Sequence, residues 1–520
     1  MACTTLLVGR NATNDGSTIV ARNEDGEDFS FDPKKLVIVN PDEQPRTYTG
    51  VNSHLIIELP DNPLRYSCTP NADPKNGVWA EAGINAANVS MSATETISAN
   101  ARVLGADPLV AYQPAQGTPG EPGYRPEVPG GIGEEDLPTI CLPYVTSAKD
   151  GARRLGMLVE KYGTYETNGV AFGDEHDVWY WENIGGHHWI ARRVPDDCYV
   201  AQPNRQGIDF FDLADALGEQ KDFMCSADLA EWIRDHDLLM DMEPAAGETV
   251  EGLPQTFDAR IAFSSYTWLD QLYNAPRKWY LCQRLTPSDS RFAGPAPEFG
   301  PESLDIPWAM RPDKKLSASD VKDLLGTTYD GTEYDCYGTK GTPATRHQYR
   351  YIGIDRTSEC SILCIRPKAP AALRAIHWFA PASGPFNTAV ALYANVSKMP
   401  AYLDTPCEVT TDSLYWNNRL VAGLADPQFF ESYEAIQAYR LNTMAQGYQS
   451  VHETDAKLAK LADEGKANLD DMDDPAVLRV LEEANQALVD KVQVQTRSLL
   501  GEVLDQRTVA MKDAFNMNDH

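Results

Sequence analysis

Positive charge is scarce in this chain: 45 Lys and Arg stand against 76 Asp and Glu among 520 residues, a formal net charge of −31. Non-specific nucleic-acid binding needs clustered cations to neutralise phosphates, and no basic block occurs, which argues against DNA, RNA and anionic membranes as partners. Long hydrophobic runs are missing too. No window reaches the ~18 apolar residues of a membrane span. The opening Met1-Ala2-Cys3-Thr4-Thr5-Leu6-Leu7-Val8 lacks the basic and apolar regions of a secretion signal, so a cytoplasmic location is expected. The ten cysteines stand singly, with no CxxC. The nearest pair, Cys360 and Cys364, would lie about 13 Å apart on one strand face at ~3.3 Å per residue, beyond disulfide reach. Neither HExxH nor a Gly-rich phosphate loop is present, and no metal or organic cofactor is expected.

What the chain does have is a globular composition, 42% hydrophobic with 23 Tyr and 10 Trp. Thr4 to Val8 and Ser17 to Ala21 read as a hairpin around turn residues 11–16. A second β region spans Val78 to Thr96. Residues 113–133 carry five Pro and six Gly, a long surface loop, and 285–301 form another Pro/Gly linker. Tyr144 to Tyr162 read as a helix closed by Gly163. A meander follows through Gly169–Phe172, Val178–Trp181, His188–Arg192 and Cys198–Ala201. Residues 226–240 look helical and 349–395 alternate as strands. Asp474 and Pro475 then open a long amphipathic helix. The fold class is α/β or α+β, the hairpins favouring packed antiparallel sheets between helices.

Cys3 is the first candidate for chemistry. A nucleophile at a mature N-terminus uses its own α-amine as general base, since the amine's pKa near ~7.7–8.0 suits a thiol proton at neutral pH. With the hairpin centred near Ala12 and Thr13, Cys3 faces Arg22, with Asp25 just beyond. A guanidinium there favours thiolate, and Asp25 is placed to hold the ammonium. The competing readings are a packed cysteine and a surface Arg–Asp pair. Asp174, His176, His187 and His188 crowd one region, but adjacent histidines on a strand point to opposite faces and do not share an ion, so packing is expected there.

Cys3-Thr4-Thr5 and Arg22-Asn23-Glu24-Asp25-Gly26 resemble the opening of the dipeptidase A family, cysteine peptidases of the N-terminal-nucleophile hydrolase superfamily. Trp79-Ala80-Glu81-Ala82-Gly83-Ile84-Asn85, Ser92-Ala93-Thr94-Glu95-Thr96, residues 131–137, residues 186–189, Pro203-Asn204 and Tyr273-Asn274-Ala275-Pro276-Arg277 also resemble that family, as do later stretches to about residue 425. The resemblance implies an α+β fold, the four-layer αββα sandwich, here with a long C-terminal helix. Residues 1–2 would be a leader removed on maturation, 3–450 the catalytic domain and 451–520 an acidic helical extension. By resemblance Cys3 is the nucleophile, Arg22 and Asp25 flank it, Asn204 lies near it and Arg277 is a later active-site arginine. The related acylases carry an oxyanion-hole asparagine where this chain has Thr94 and Glu95. The implied substrates are dipeptides, with self-association left open. An acylase of bile-salt or penicillin-type amides and a non-catalytic, secernin-like interaction protein are the alternatives.

Overall fold

The structure, a computed structural model, describes residues 3–26, 31–240 and 248–513, without the side chains of Thr94 and Glu95. The expected leader, Met1 and Ala2, lies outside these.

The N-terminal hairpin pairs Thr4–Val8 (β1) with Thr18–Asp25 (β2), every residue of both strands buried. Burial on both faces needs apolar residues at successive positions: Leu6, Val8, Ile19 and Ala21 enter one core, Leu7 and Val20 another. At one end the same strands turn polar inside the protein, with Thr4 and Thr5 against Arg22, Asn23, Glu24 and Asp25. The register is displaced by two residues from the expected one, with Arg22 opposite Thr5 rather than Cys3. The cause lies in the turn, where Arg10–Ala12 form a 3-10 turn and Thr13 donates its hydroxyl to the Ser17 carbonyl at 2.7 Å. A shift of two preserves the face, so Cys3 and Arg22 remain on one side as diagonal neighbours.

Further strands are Ala82–Ile84 (β3), Ser90–Thr96 (β4), Asn168–Gly173 (β5), Val178–Asn183 (β6), Trp189–Arg193 (β7), Tyr199–Gln202 (β8), Phe223–Cys225 (β9), Ala309–Met310 (β10), Thr357–Ile365 (β11), Ala375–Pro381 (β12) and Val390–Tyr393 (β13). They make two sheets: seven strands in the order β10-β8-β1-β2-β11-β12-β13, and six in the order β9-β7-β6-β5-β4-β3. All their pairings are antiparallel. The expected meander is divided between them. Strands β5 to β7 stay in the second sheet, while β8 crosses to the first and pairs with β1, bringing Gln202 opposite Thr5. Leu7, Val20 and Leu363 of the first sheet share a core with Tyr180 and Ile190 of the second.

Helix Ala148–Tyr162 (α1) starts four residues later than expected, because the Ser147 hydroxyl caps it through Asp150 N at 3.1 Å. Its Ala152, Leu155 and Val159 pack with Trp179 and Trp181. Helices Ala275–Leu285 (α2), Ala318–Leu325 (α3), Phe429–Asp463 (α4) and Pro475–Val509 (α5) supply Leu281, Val321, Leu458 and Leu488 to the core that holds Leu6 and Ile19. Asp474 caps α5 as its sequence predicts, accepting from Ala476 N and Val477 N at 2.8 and 3.1 Å. Residue 451 falls inside α4, which packs lengthwise with α5. The loop 113–133 folds back on itself through backbone bonds between Gln113 and Val128 and between Gln116 and Arg125. Among the described residues no helix is long and apolar enough to cross a membrane.

Candidate active site

Cys3 lies just before β1 and has no exposed surface. Arg22, projecting from β2, donates Nη1 to the Cys3 Sγ at 3.1 Å and Nε to the Ser92 hydroxyl at 3.1 Å, and it pairs with Glu81 through Nη2. Three directed bonds fix the plane of the guanidinium, which a lysine ammonium cannot match. Burial works against the Arg22 charge, but Cys3, Glu81, Glu24 and Glu359 outweigh it and hold the guanidinium firmly protonated. Glu81 reaches it from a segment in which both Trp79 and Glu81 have φ of 50°, a left-handed conformation that side chains normally avoid.

Behind Arg22 is a buried ionic cluster. The Lys34 ammonium lies 2.9 Å from Glu24 Oε1 and 4.0 Å from Glu81 Oε1, and donates to the Trp79 carbonyl at 3.0 Å. Glu359 on β11 accepts from the Thr69 and Ser361 hydroxyls at 3.3 and 2.7 Å, and Ser361 meets His377 Nε2 at 2.8 Å. Two cations thus face three carboxylates. Burial pushes Glu24, Glu81 and Glu359 upward against the pull of Arg22 and Lys34, Glu359 to about 7. Burial alone pushes His377 down to about 3, so it stays neutral.

On the other side of Cys3, Arg277 of α2 donates to the Cys3 carbonyl and, at 2.9 Å, to the Thr4 hydroxyl. It also donates to Asn204 Oδ1 at 2.8 Å, Asn274 Oδ1 at 2.7 Å and the Tyr273 carbonyl at 2.9 Å. An arginine only donates, so it must meet the Asn204 amide through oxygen, which turns the Asn204 NH2 away as a donor. Asn274 Nδ2 holds the Asn204 carbonyl at 3.0 Å.

Of the five expected residues, Cys3, Arg22, Asn204 and Arg277 are joined by contacts. Asp25 is placed differently. On β2 it alternates with Arg22, and its carboxylate pairs with Arg350 and accepts from Thr357 Oγ1 at 2.5 Å. Arg22 and Asp25 are therefore not a surface pair: both are buried and each has its own partner. Arg350 lies 5.2 Å from the ring of Tyr273, which Arg277 approaches at 5.1 Å.

The crowded Asp/His region is resolved into turn and cap bonds. Asp174 accepts from His176 N, Asp177 N and, at 2.7 Å, Ala148 N at the start of α1. His187 and His188 sit in the turn before β7 rather than on it, so both reach one carboxylate, Asp107, at 3.0 and 2.8 Å. That corrects the opposed-face expectation. Among the described residues no group of three or more His, Cys, Asp or Glu could hold a metal ion.

Sequence reasoning missed Glu81, Lys34, Glu24, Glu359 and Asn274. Glu24 had a readable signal, being two residues from Arg22 on the same strand and hence on the same face. Asn274 had one too, standing three residues before Arg277 on one helical segment, whereas Glu81, Lys34 and Glu359 arrive from distant loops and strands.

Arg22→Lys is expected to raise the apparent pKa of the Cys3 thiol, because the charge remains while the directed bond to sulfur is lost. Alkylation rate against pH measures it. An unchanged profile would remove Arg22 from thiol activation.

A family model described as Peptidase family C69 matches residues 2–442, and the chain belongs to that family. It is similar along its whole length to "Dipeptidase" of Bifidobacterium longum (strain NCC 2705), 47% identical with 100% of each chain covered. It is 44% identical to "Probable dipeptidase A" of Streptococcus pyogenes serotype M3 (strain SSI-1), again over 100% of both, and 39% identical to "Dipeptidase A" of Lactobacillus helveticus over 99% of both.

Proposed function

We infer that this protein is a cysteine-type dipeptidase whose nucleophile is Cys3. The observation that carries the reading is the clamp on that residue: Arg22 on its sulfur and Arg277 on its carbonyl, both buried. A thiol that were merely packed would need neither cation, and burying two guanidiniums is costly without a use for their charge. Family membership and the full-length relatives named dipeptidases support the same reading.

After removal of Met1 and Ala2 the freed α-amine of Cys3 takes the thiol proton. The thiolate, stabilised by Arg22, attacks the scissile carbonyl, and the developing oxyanion is met by the Asn204 NH2 and a backbone N–H. The amine then protonates the departing amino acid, and water attacks the thioester to release the first residue and restore the thiol. Arg277 acts by positioning, holding Cys3, Thr4 and Asn204 in one arrangement. Asp25, seated between Arg350 and Thr357, acts at one remove, fixing the end of β2 beside Cys3. The two sheets sharing a core, with α1 on one side and α2 to α5 on the other, support the four-layer layout of N-terminal-nucleophile hydrolases. The free thiols of the described cysteines suit a reducing, cytoplasmic setting.

Turnover of dipeptides is expected, with little on conjugated bile salts or penicillin V. Alkylation with iodoacetamide should abolish it, whereas exhaustive chelation should leave it unchanged. Faster hydrolysis of the non-peptide amides would reassign the substrate, and loss on chelation restored by zinc would replace the thiol mechanism.

A further inference from the structure

Pro203 and Arg205 flank Asn204 in the chain and both line a cavity of about 20 Å³ that Asn204 itself does not line. Arg260, Asn274 and Lys278 complete the part of its wall that matters here. Lys278 is 8% exposed, and among the described residues its ammonium makes no hydrogen bond and no ion pair. Arg205 gives Nε to the Ser265 carbonyl at 3.1 Å and Nη1 to the Leu304 carbonyl at 3.0 Å, while its Nη2 is buried with no hydrogen-bond partner. Arg260 gives Nη1 to the Ile306 carbonyl at 2.9 Å and is 3.3 Å from Asp258.

Three cationic residues therefore line a space that holds one water-sized occupant. Burial lowers Lys278 to about 8, with Arg260 and Arg205 adding to the fall and Cys282 and Asp209 opposing it. The nearby Glu182 is pushed up to about 7 by burial and accepts from Gly207 N at 2.6 Å. An ammonium removed from water with no acceptor is costly, and a counter-ion is the direct remedy.

We propose that this cavity binds a single small monovalent anion of the halide class, held by Lys278 Nζ and Arg205 Nη2. A water molecule is the competing occupant, and the partnerless Gln202 Oε1 and Gln206 Oε1 would accept from it. Only an anion also relieves the repulsion among the three cations. The site bears on catalysis through Asn274, which lines it while holding the Asn204 carbonyl and accepting from Arg277. That consequence rests on the Cys3 and Asn204 reading; the binding does not.

The test uses the full chain in sodium chloride or sodium bromide against sodium gluconate, too large to enter, at equal ionic strength. Crystals in bromide should give an anomalous peak in this cavity. Chloride should raise Tm saturably by about 1–2 °C and kcat by about two- to tenfold. Lys278→Met, or Arg205→Gln should the first fail to fold, should lose both responses. A cavity holding only water, equal Tm in chloride and gluconate, or a full chloride response in Lys278→Met would overturn the proposal. A bromide peak and Tm shift with constant kcat would support the site and count against the role given to Asn204.

Discussion

Cys3→Ala is expected to fold, to hydrolyse no dipeptide, and to keep Ala2 in its measured mass. The α-amine serves as base only if Cys3 is the first residue of the mature protein; an Ala2–Cys3 amide nitrogen has no proton affinity to offer. Removal of Met1 alone would leave that amide in place. The route proposed is attack of the Cys3 thiol on the Ala2 carbonyl followed by hydrolysis of the thioester, which alanine cannot perform. Loss of the nucleophile should cost about 10⁴-fold or more in kcat. Intact mass of the active wild type should begin at Cys3, and iodoacetamide should label that residue. An active enzyme whose mass still includes Ala2 would end the N-terminal-nucleophile reading, however closely the family matches.

Lys34→Met carries the second large effect. Lys34 is fully buried between Glu24 and Glu81, and removing one partner of such a pair leaves uncompensated charge, typically a loss of about 3–5 kcal/mol. The loss should depend on pH. Burial raises the folded pKa of Glu24, Glu81 and Glu359, so the stability each contributes is present below ~4.5 and is lost as pH rises through its folded value, about 7 for Glu359. Without Lys34 those values rise further, and the gap between wild type and variant should widen from pH 5 to pH 8. Adding Glu24→Gln should recover part of it. Urea unfolding at the two pH values measures both. A gap below about 1 kcal/mol and equal at both values would mean that the cluster is weakly coupled.

The hairpin, the strands of the second sheet other than β9 and the cap of α5 were legible because each is written in local periodicity and turn chemistry. The register was not, because a 3-10 turn and a bond from Thr13 to Ser17 set it, and neither has a pattern of its own. The crossing of β8 was equally hidden: Tyr199–Gln202 reads as a strand whichever sheet it joins. Within the site, Cys3 and Arg22 could be paired by proximity across a turn, and Asn204 and Arg277 only by likeness to a family. Lys34, Glu81 and Glu359 escaped because their meaning is ionic and appears only once three separate parts of the chain are buried together.

The contact between Arg277 and the Cys3 carbonyl spans 274 residues of chain. Cys3, the proposed nucleophile, is thus made roughly 15–55 s before Arg277 at about 5–20 residues per second, and β11 with Glu359 comes later still. Until then Cys3 has Arg22 and β2 within reach on its own hairpin, but neither Arg277 on its carbonyl nor, for most of that time, β8 on the other flank of β1. A nascent chain thus lacks the Arg277 half of the clamp, and if the cut that would free the amine needs that half, it becomes a report that most of the polypeptide has been made and folded. Release of truncated chains ending before residue 277 should leave Ala2 attached, so the enzyme would gain activity only as a finished molecule.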